Sequence, residues 1–328
     1  MADIKVSVIV PIYKVEGFIE RCVVSLMEQT LEDVEYVFVD DASPDGSVEI
    51  LHEVIARYPN RAQNIKIITH SENKGLPAAR NTGLAEVTGE YVFHCDSDDY
   101  VELDMLETLY AKAKSEDADM VWCDFFLTFE KNERYMKQPE YASAKEALKA
   151  MLSGAMKFNV WNKLVKRSLY AENRIKFPAG YGMGEDMTMM MLCANARKVA
   201  YVPRAFYHYV KLNMGAFSQT YSERHLVELK HNVQRITDYM QGKHGAELEK
   251  ELALFKLDVK FPFLITDDEK KYRLWQEWYP EANRYIGENK MISARSNALQ
   301  WLAWKGQFWA VKLYYILINK LIYGVIYK

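Results

Sequence analysis

Cysteine is scarce in this chain, and the signals that would indicate a zinc site or an exported protein are missing. The four cysteines are Cys22, Cys95, Cys123 and Cys193, and none forms a CxxC pair or a cysteine and histidine spacing that binds zinc. We expect them to be buried, reduced thiols. The N-terminus passes directly into a strand pattern, without the basic segment, apolar core and cleavage site of an export signal. These features predict a cytoplasmic protein.

The chain also has little net charge and no familiar loop for binding phosphate groups. Its formal net charge of -3 over 328 residues argues against a nucleic-acid partner bound by phosphate neutralisation. No GxxxxGK motif occurs, and the glycine-rich segment 180–184 does not follow a recognisable strand, so NAD-binding and ATP-hydrolysing sites lack their usual motifs. Segment 41–52 begins like a calcium loop but ends in His52, where a bidentate glutamate is needed.

Apolar runs alternate with helical patterns through the first 130 residues. Strands are predicted at 4–13, 34–41, 65–69, 91–95 and 120–126. Helices are predicted at about 17–29, 47–58, 77–86 and 103–115. Continuous apolar strands separated by helices are typical of a mostly parallel sheet that is covered on both faces. The sequence therefore predicts the α/β class.

Carboxylates crowd at the ends of these predicted strands. Segment 94–100, HCDSDDY, follows the fourth strand, and Asp40 and Asp41 follow the second. In parallel sheets ligands bind beyond the carboxyl ends of the strands. The crowded aspartates either hold a divalent cation together with a phosphate-bearing ligand, or form a solvated acidic turn that caps the next helix. Because several strand ends converge on one edge, the pattern favours a polar cleft.

After about residue 130 the strict alternation stops. A helix is predicted at 144–152, a methionine-rich helix follows Asp186, and a strand is predicted at 199–202, followed by the aromatic segment 206–209. From about 223 to 287 the pattern is helical and charged, without a constellation that indicates chemistry.

The last 40 residues differ in composition from the rest. No acidic residue follows Glu288, whereas six lysines or arginines remain among tryptophan, tyrosine and aliphatic residues. The lysines interrupt every apolar run well short of the roughly 20 residues that span a bilayer. Two interpretations stay open: segment 290–328 lies on the inner face of a membrane as a peripheral contact, or it is a terminal helix docked on the core or on a second copy of the chain.

Several motifs, in their order along the chain, resemble family 2 inverting glycosyltransferases with the GT-A fold. They are SVIVPIYKVEGFIERCVVSLMEQT, VFVDDASPDGS, NKGLPAARNTGLAEVTGEYVFHCDSDD, VWNKL and GEDM. The resemblance is dense over about 6–100 and sparser to about 209. It implies a GT-A-like, Rossmann-related, mostly parallel sheet flanked by helices, with a C-terminal helical extension. The implied domains are 1–222, with a nucleotide-binding half at about 1–100 and an acceptor half at about 101–222, and a helical region at 223–328.

The resemblance also implies roles for individual residues. Those implied to bind the nucleotide are Pro11, Tyr13, Asp41, Arg80, Asp96 and Ser97. Those implied to bind the metal, Mn²⁺ or Mg²⁺, are Asp98, Asp96 and Asp99. Asp186 is implied to be the catalytic base, which takes the proton of the acceptor hydroxyl, while Glu185 could orient that hydroxyl. Asn162 and Lys163 match the NK position of the family.

The function implied is transfer of a sugar from a nucleotide sugar, in the first instance a UDP-sugar, to a hydroxyl of a glycan or lipid-linked acceptor during synthesis of a surface polysaccharide. A homo-oligomer is compatible with this. Two alternatives remain: a sugar-nucleotide pyrophosphorylase, for which the loop after the first strand matches poorly, and a glycan-binding protein with a decayed site.

Overall fold

The computed structural model describes residues 4–212 and 222–318. Its backbone contacts divide the chain into two compact units, one formed by residues 1–147 and 158–236 and the other by residues 148–157 and 237–328. The first unit contains one nine-stranded sheet with helices. The second is helical over its described residues.

Most elements follow the predicted order. The strands are β1 (Val6–Ile12), β2 (Val34–Asp40), β3 (Ile65–Thr69), β4 (Tyr91–His94), β5 (Tyr100–Val101), β6 (Met120–Thr128), β7 (Glu133–Met136), β8 (Lys163–Lys166) and β9 (Val199–Val210). The helices are α1 (Ile19–Met27), α2 (Ser47–Ile55), α3 (Leu76–Glu86), α4 (Met105–Glu116), α5 (Ala144–Leu152), α6 (Arg167–Glu172), α7 (Thr188–Cys193), α8 (Glu223–His244), α9 (Glu249–Lys260), α10 (Glu269–Glu277), α11 (Ala294–Trp304) and α12 (Phe308–Tyr315).

The sheet has a parallel half and a mixed half. Its strand order is β3-β2-β1-β4-β8-β6-β9-β5, with β7 also paired to β6. Strands β3, β2, β1 and β4 run parallel, as do β6 and β9. The other four pairings, which involve β5, β7 and β8, are antiparallel. The predicted α/β class is confirmed, and the antiparallel pairings come from short strands that carry little sequence signal.

The three central strands of the parallel half are fully buried. Every residue of β1, β2 and β4 is buried, as expected for strands covered on both faces. Each fully buried valine, isoleucine or phenylalanine in these strands contributes about 1.5–3 kcal/mol relative to an exposed one. Their regular pairing brings the strand ends together: Ile12 pairs with Asp40, and the Cys95 amide donates to the Ile9 carbonyl at 3.0 Å. The residues that follow β1, β2 and β4 therefore share one edge.

Two differences from the predicted elements have local causes. The strand predicted at 199–202 continues to Val210 as β9, because the exposed Pro203 and Arg204 interrupt the apolar run without ending the strand. The helix predicted after Asp186 begins as one 3₁₀ turn at Glu185–Met187 and continues as α7. Within residues 4–212 and 222–318, no helix is long and apolar enough to cross a membrane.

Candidate active site

A cavity of about 770 Å³ lies at the edge where the parallel strands end. Three of its lining segments follow β1, β2 and β4: residues 11–15, Asp41 and residues 96–98. Two further segments come from later in the chain, the glycine-rich loop that leads to Asp186 and the end of β9. The structure thus gathers in one cavity most of the residues that the sequence motifs singled out: Pro11, Tyr13, Asp41, Asp96, Ser97, Asp98 and Asp186.

Asp41 is held by a dense set of hydrogen bonds at the back of the cavity. Its side chain is buried, and its carboxylate accepts from the amides of Lys74 and Gly75, each at 2.8 Å. Nδ1 of His70 lies 2.7 Å from Oδ1 of Asp41 and donates to it, because a carboxylate only accepts. Asp41 therefore fixes the start of α3, and with about four lone-pair sites it can accept one more donor from a ligand.

Tyr13 contrasts with Asp41 because it is exposed. Tyr13 lines the cavity and is 41% accessible, and the Lys14 ammonium lies 5.1 Å from the centre of its ring, so part of the ring is accessible to a flat ligand such as a base. The next residue, Lys14, also lines the cavity and has φ 55°, a left-handed conformation that is costly for a residue with a Cβ.

The acidic segment 96–99 contains residues in two different environments. Asp96 and Asp98 are partly exposed and line the cavity, as does the buried Ser97. Asp99 has no accessible surface, and among the described residues it is not one of those that line the cavity. Its carboxylate accepts from the Tyr207 hydroxyl and from the Val210 amide, both at 2.7 Å. Burial raises the pKa of Asp99 well above its ordinary value, and the charges of Asp98 and Asp96 add to this.

The residues present fit a divalent cation shared with a ligand. Carboxylates at the cavity wall suit a hard cation, and Asp98 and Asp96 supply them. Among the described residues, no group of three His, Cys, Asp or Glu side chains is arranged to hold a metal by itself. The two carboxylates of Asp96 and Asp98 match the way Mg²⁺ and similar ions are bound in phosphate sites, by one or two carboxylates together with substrate phosphates.

Arg80 lies behind the cavity and is not part of the described lining. Its side chain is 1% exposed, and its Nη2 donates to Asp96 Oδ1 at 2.8 Å. The same nitrogen is 3.8 Å from Glu185 Oε1. Burial would lower the pKa of Arg80, but Asp96, Glu185 and Asp186 outweigh it and raise the pKa. The guanidinium thus joins the acidic segment to the loop of Asp186, a buried position that is unusual for arginine and that the sequence did not indicate.

Glu185 and Asp186 are the first two residues of the 3₁₀ turn that leads into α7. Gly184 has φ 89° and precedes them, and a Cβ at that position would meet the Met187 side chain at 3.1 Å. Asp186 Oδ1 accepts from the Val160 amide at 3.3 Å. Burial raises the pKa of both carboxyls. The charge of Asp96 raises both further, and that of Asp186 also raises the pKa of Glu185, whereas Arg80 opposes the shift at both. Such a carboxylate is more basic than an ordinary aspartate.

Lys163 is a fully buried lysine close to this carboxylate. Its ammonium donates to the Asn159 carbonyl at 2.8 Å and to Asn162 Oδ1 at 2.9 Å. Burial lowers the pKa of Lys163 to about 7, and the charge of Asp186 opposes that shift. The same short segment, 159–163, therefore contributes both the Val160 amide and a positive charge to the surroundings of Asp186.

Helix α8 holds the glycine-rich loop in place. Glu228 is buried, and its carboxylate accepts from the Met183 amide at 3.0 Å and from Arg224 Nε at 2.7 Å. Asn232 donates to the carbonyls of Tyr181 and Met183, each at 2.9 Å. The position of Asp186 therefore depends on a helix that begins about 40 residues later in the chain.

Several basic residues that the sequence analysis did not select also line the cavity. They are Lys14, Lys74, Lys211 and Arg224. Lys211 directly follows β9, and burial lowers its pKa while Asp99 and Asp98 oppose the shift. Their sequence signal is weak because isolated lysines and arginines are common on surfaces. The available clue is that each lies within two residues of the end of a strand or the start of a helix.

Comparison with known proteins assigns the family. Residues 7–183, more than half of the chain, match the model of the family described as Glycosyl transferase family 2. The chain belongs to glycosyl transferase family 2. The match covers the strands and loops that supply most of the cavity, including Asp41 and segment 96–99.

One relative of this chain is a galactosyltransferase. The chain is 34% identical over 242 residues to the cholesterol galactosyltransferase of Borreliella burgdorferi, an alignment that covers 70% of this chain and 66% of that relative. The chain thus spans slightly less than two thirds of that relative's own length.

Two solved structures of glycosyl-transferring or nucleotide-sugar-bound proteins share the fold. TarS 1-349 of S. aureus, in complex with UDP-GlcNAc, matches with a TM-score of 0.69 and 21% identity, over 95% of this chain and 91% of that chain. The mannosyltransferase PcManGT of Pyrobaculum calidifontis, in complex with GDP-Man and Mn²⁺, matches with a TM-score of 0.51 and 18% identity, over 98% of this chain and 89% of that chain. At these identities the likeness shows the fold alone, and it confirms the GT-A-like architecture.

Proposed function

We propose that this protein is a metal-dependent inverting glycosyltransferase that moves a sugar from a UDP-sugar to a hydroxyl of a glycan or lipid-linked acceptor in the synthesis of a surface polysaccharide. The observation that carries the proposal is the cavity in which Asp41, Asp96, Asp98 and Asp186 meet. The family assignment and the UDP-GlcNAc complex of TarS support it. The family assignment also disfavours the pyrophosphorylase alternative.

In this proposal the donor lies along the strand ends. Tyr13 stacks on the base, Asp41 accepts a hydrogen bond from it with its remaining lone pair, and Asp96 and Ser97 contact the ribose side of the nucleotide. Asp98, with Asp96, holds the divalent ion, which when bound supplies positive charge for the leaving nucleoside diphosphate. Lys211, next to Asp98, adds a further positive charge at the same end of the cavity.

Asp186 acts as the base in the proposed reaction. The acceptor oxygen forms a bond to the anomeric carbon while the bond from that carbon to the phosphate oxygen breaks, and the hydroxyl proton passes to Asp186. Inversion requires the base and the leaving group on opposite faces of the sugar. Arg80 serves as a positioning residue, because its contact with Asp96 and its proximity to Glu185 link the donor end of the cavity to the base.

The test is to supply the full chain with UDP-, GDP-, CDP- and ADP-sugars, Mn²⁺ and a mixture of glycan and glycolipid acceptors, and to identify products by mass spectrometry. We expect UDP and a glycosylated acceptor from one or more UDP-sugars. Formation of UTP and a sugar 1-phosphate when pyrophosphate is added would instead identify a pyrophosphorylase. No product from any donor would support the decayed-site alternative.

A Lys163→Met variant is expected to shift the pH dependence of transfer. A nearby positive charge lowers the pKa of Asp186, so its removal raises that pKa further and moves the acid limb of the kcat profile to higher pH. Lys163 loses its own proton as pH rises through about 7, so the difference between the two proteins is largest below that value. The measurement is kcat against pH, together with UDP affinity, which we expect to be unchanged.

Lys66→Met provides the matched control, since Lys66 is an exposed lysine that pairs with Glu86 at 3.9 Å. Its profile should coincide with that of the unmodified chain. An unshifted profile for Lys163→Met, with only a lower melting temperature, would reduce Lys163 to a structural role.

A further inference from the structure

Helices α11 and α12, with the residues that directly follow α12, carry several exposed aromatic and aliphatic side chains. These residues and their exposed fractions are Trp301 (49%), Trp304 (42%), Trp309 (70%), Leu313 (48%) and Leu317 (45%). Soluble proteins seldom expose several large apolar side chains together without a partner for them. We call these five residues the aromatic surface.

The aromatic surface is not the face by which these helices pack. Leu299 and Ala303 of α11 and Val311 of α12 are buried, so the helices already use another face for their own core. Trp309 and Leu313 are four residues apart on α12, a spacing that places both on one face of the helix, and the exposed Leu317 lies two residues past its end. The packing of the two helices therefore leaves these side chains exposed.

Positive charge accompanies this surface. Lys290, Arg295 and Lys305 are exposed, and no acidic residue follows Glu288 in the sequence. The Lys305 ammonium lies 4.8 Å from the centre of the Trp304 ring and 5.9 Å from the centre of the Trp301 ring, so its charge sits over the aromatic side chains of this surface. Lys312 is excluded from this set because it pairs with Glu269 at 2.9 Å.

We propose that the aromatic surface binds the headgroup region of an anionic lipid bilayer, with α11 and α12 lying in the plane of the membrane. Tryptophan and leucine beside lysine and arginine are the composition of helices that bury an apolar face at the membrane interface. Lysine is depleted at protein interfaces, which disfavours a second protein chain as the occupant. This inference does not depend on the proposed transfer reaction.

The experiment is sedimentation of the full chain with vesicles of phosphatidylcholine alone or with about 30% phosphatidylglycerol. The anionic lipid gives the vesicle surface a negative potential. We expect binding to the anionic vesicles. A Trp309→Ser/Leu313→Ser double variant should lower the partition coefficient at least about tenfold, because each side chain loses its apolar burial in the interface. A Lys305→Gln variant should lower binding to anionic vesicles about fivefold and leave binding to neutral vesicles unchanged.

Leu103→Ser/Phe129→Ser is the matched control, because both residues are exposed apolar side chains elsewhere in the chain, and it should bind as the unmodified protein does. Circular dichroism verifies that each variant is folded, and Lys305→Gln remains informative if the double variant is not. Light scattering without vesicles measures the oligomeric state and so tests whether a second copy of the chain covers the surface instead. A dimer that the double variant converts to a monomer, without vesicle binding by either, would overturn the proposal in favour of a second copy. A monomer that binds no vesicle would overturn it as well.

Discussion

An Asp186→Asn chain is expected to transfer sugar about 10²- to 10⁴-fold more slowly than the unmodified protein, the usual contribution of a general base. The substitution keeps the shape of the side chain and the oxygen that accepts from Val160, but it removes the basic lone pair. UDP affinity should stay within about twofold, because Asp186 is proposed to act on the acceptor hydroxyl. The measurements are kcat by product formation and the Kd of UDP by calorimetry.

The pH profile gives this prediction a second readout. Burial raises the pKa of Asp186, so the carboxyl takes up a proton at a higher pH than an ordinary aspartate and activity falls as pH decreases through that value. Glu185 titrates in the same buried pair, so the apparent pKa belongs to both. The limb should vanish in Asp186→Asn. Asp104→Asn, at an exposed carboxylate that pairs with Arg204, is the control. Equal losses of transfer and UDP binding would sink the assignment of Asp186 as the base.

Asp98→Asn is expected to remove most of the metal dependence of UDP binding. Asp98 lines the cavity, and its carboxylate is one of the two that fit a divalent cation shared with phosphates. We expect the gain in UDP affinity on adding Mn²⁺ to fall at least tenfold, a loss of about 1.4 kcal/mol. The melting temperature without ligands should change little, because the residue is partly exposed.

The neighbouring Asp99→Asn variant should show the reverse pattern. Asp99 is fully buried and accepts from the Tyr207 hydroxyl and the Val210 amide, so an amide donor in place of one oxygen leaves a buried donor unpaired. The expected cost is about 1–3 kcal/mol of unfolding free energy, read as a lower melting temperature. In the folded variant, Mn²⁺ should still strengthen UDP binding. A loss of metal dependence equal to that of Asp98→Asn would instead identify Asp99 as a metal ligand, the role that the family resemblance implies.

The fold was predictable where one physical signal dominates. Strands β1, β2 and β4 are short apolar runs that are buried on both faces, and β3 is a similar run that is half-buried at the edge of the sheet. The helices between them follow from the alternation of apolar runs and helical patterns. The sequence does not predict strands β5 and β7, because β5 has two residues and β7 has four. Strands this short and partly exposed produce no periodic pattern of apolar residues. The antiparallel pairing of β8 with β4 and β6 depends on contacts between distant segments, which local sequence does not encode.

The site was predictable to a different extent for each residue. Asp41, Asp96 and Asp98 follow from the rule that parallel strands end at one edge of a sheet. Asp186 is about 90 residues further on, and only the resemblance to a family connected it to them. The burial of Arg80 could not be foreseen, because arginine is usually exposed and its partners, Asp96 and Glu185, come from separate parts of the chain. The contribution of α8 was hidden for the same reason: Glu228 and Asn232 act on a loop distant in sequence.

The measurement that tests the central claim most directly is the thermal stability of the full chain with UDP, GDP, CDP and ADP, each with and without Mn²⁺. A ligand that binds only the folded protein raises its melting temperature by mass action. We predict a rise with UDP that is largest when Mn²⁺ is present, and little or no rise with the other nucleotides. The absence of a shift with every nucleotide at saturating concentration would contradict the proposal that this cavity binds a nucleotide-sugar donor.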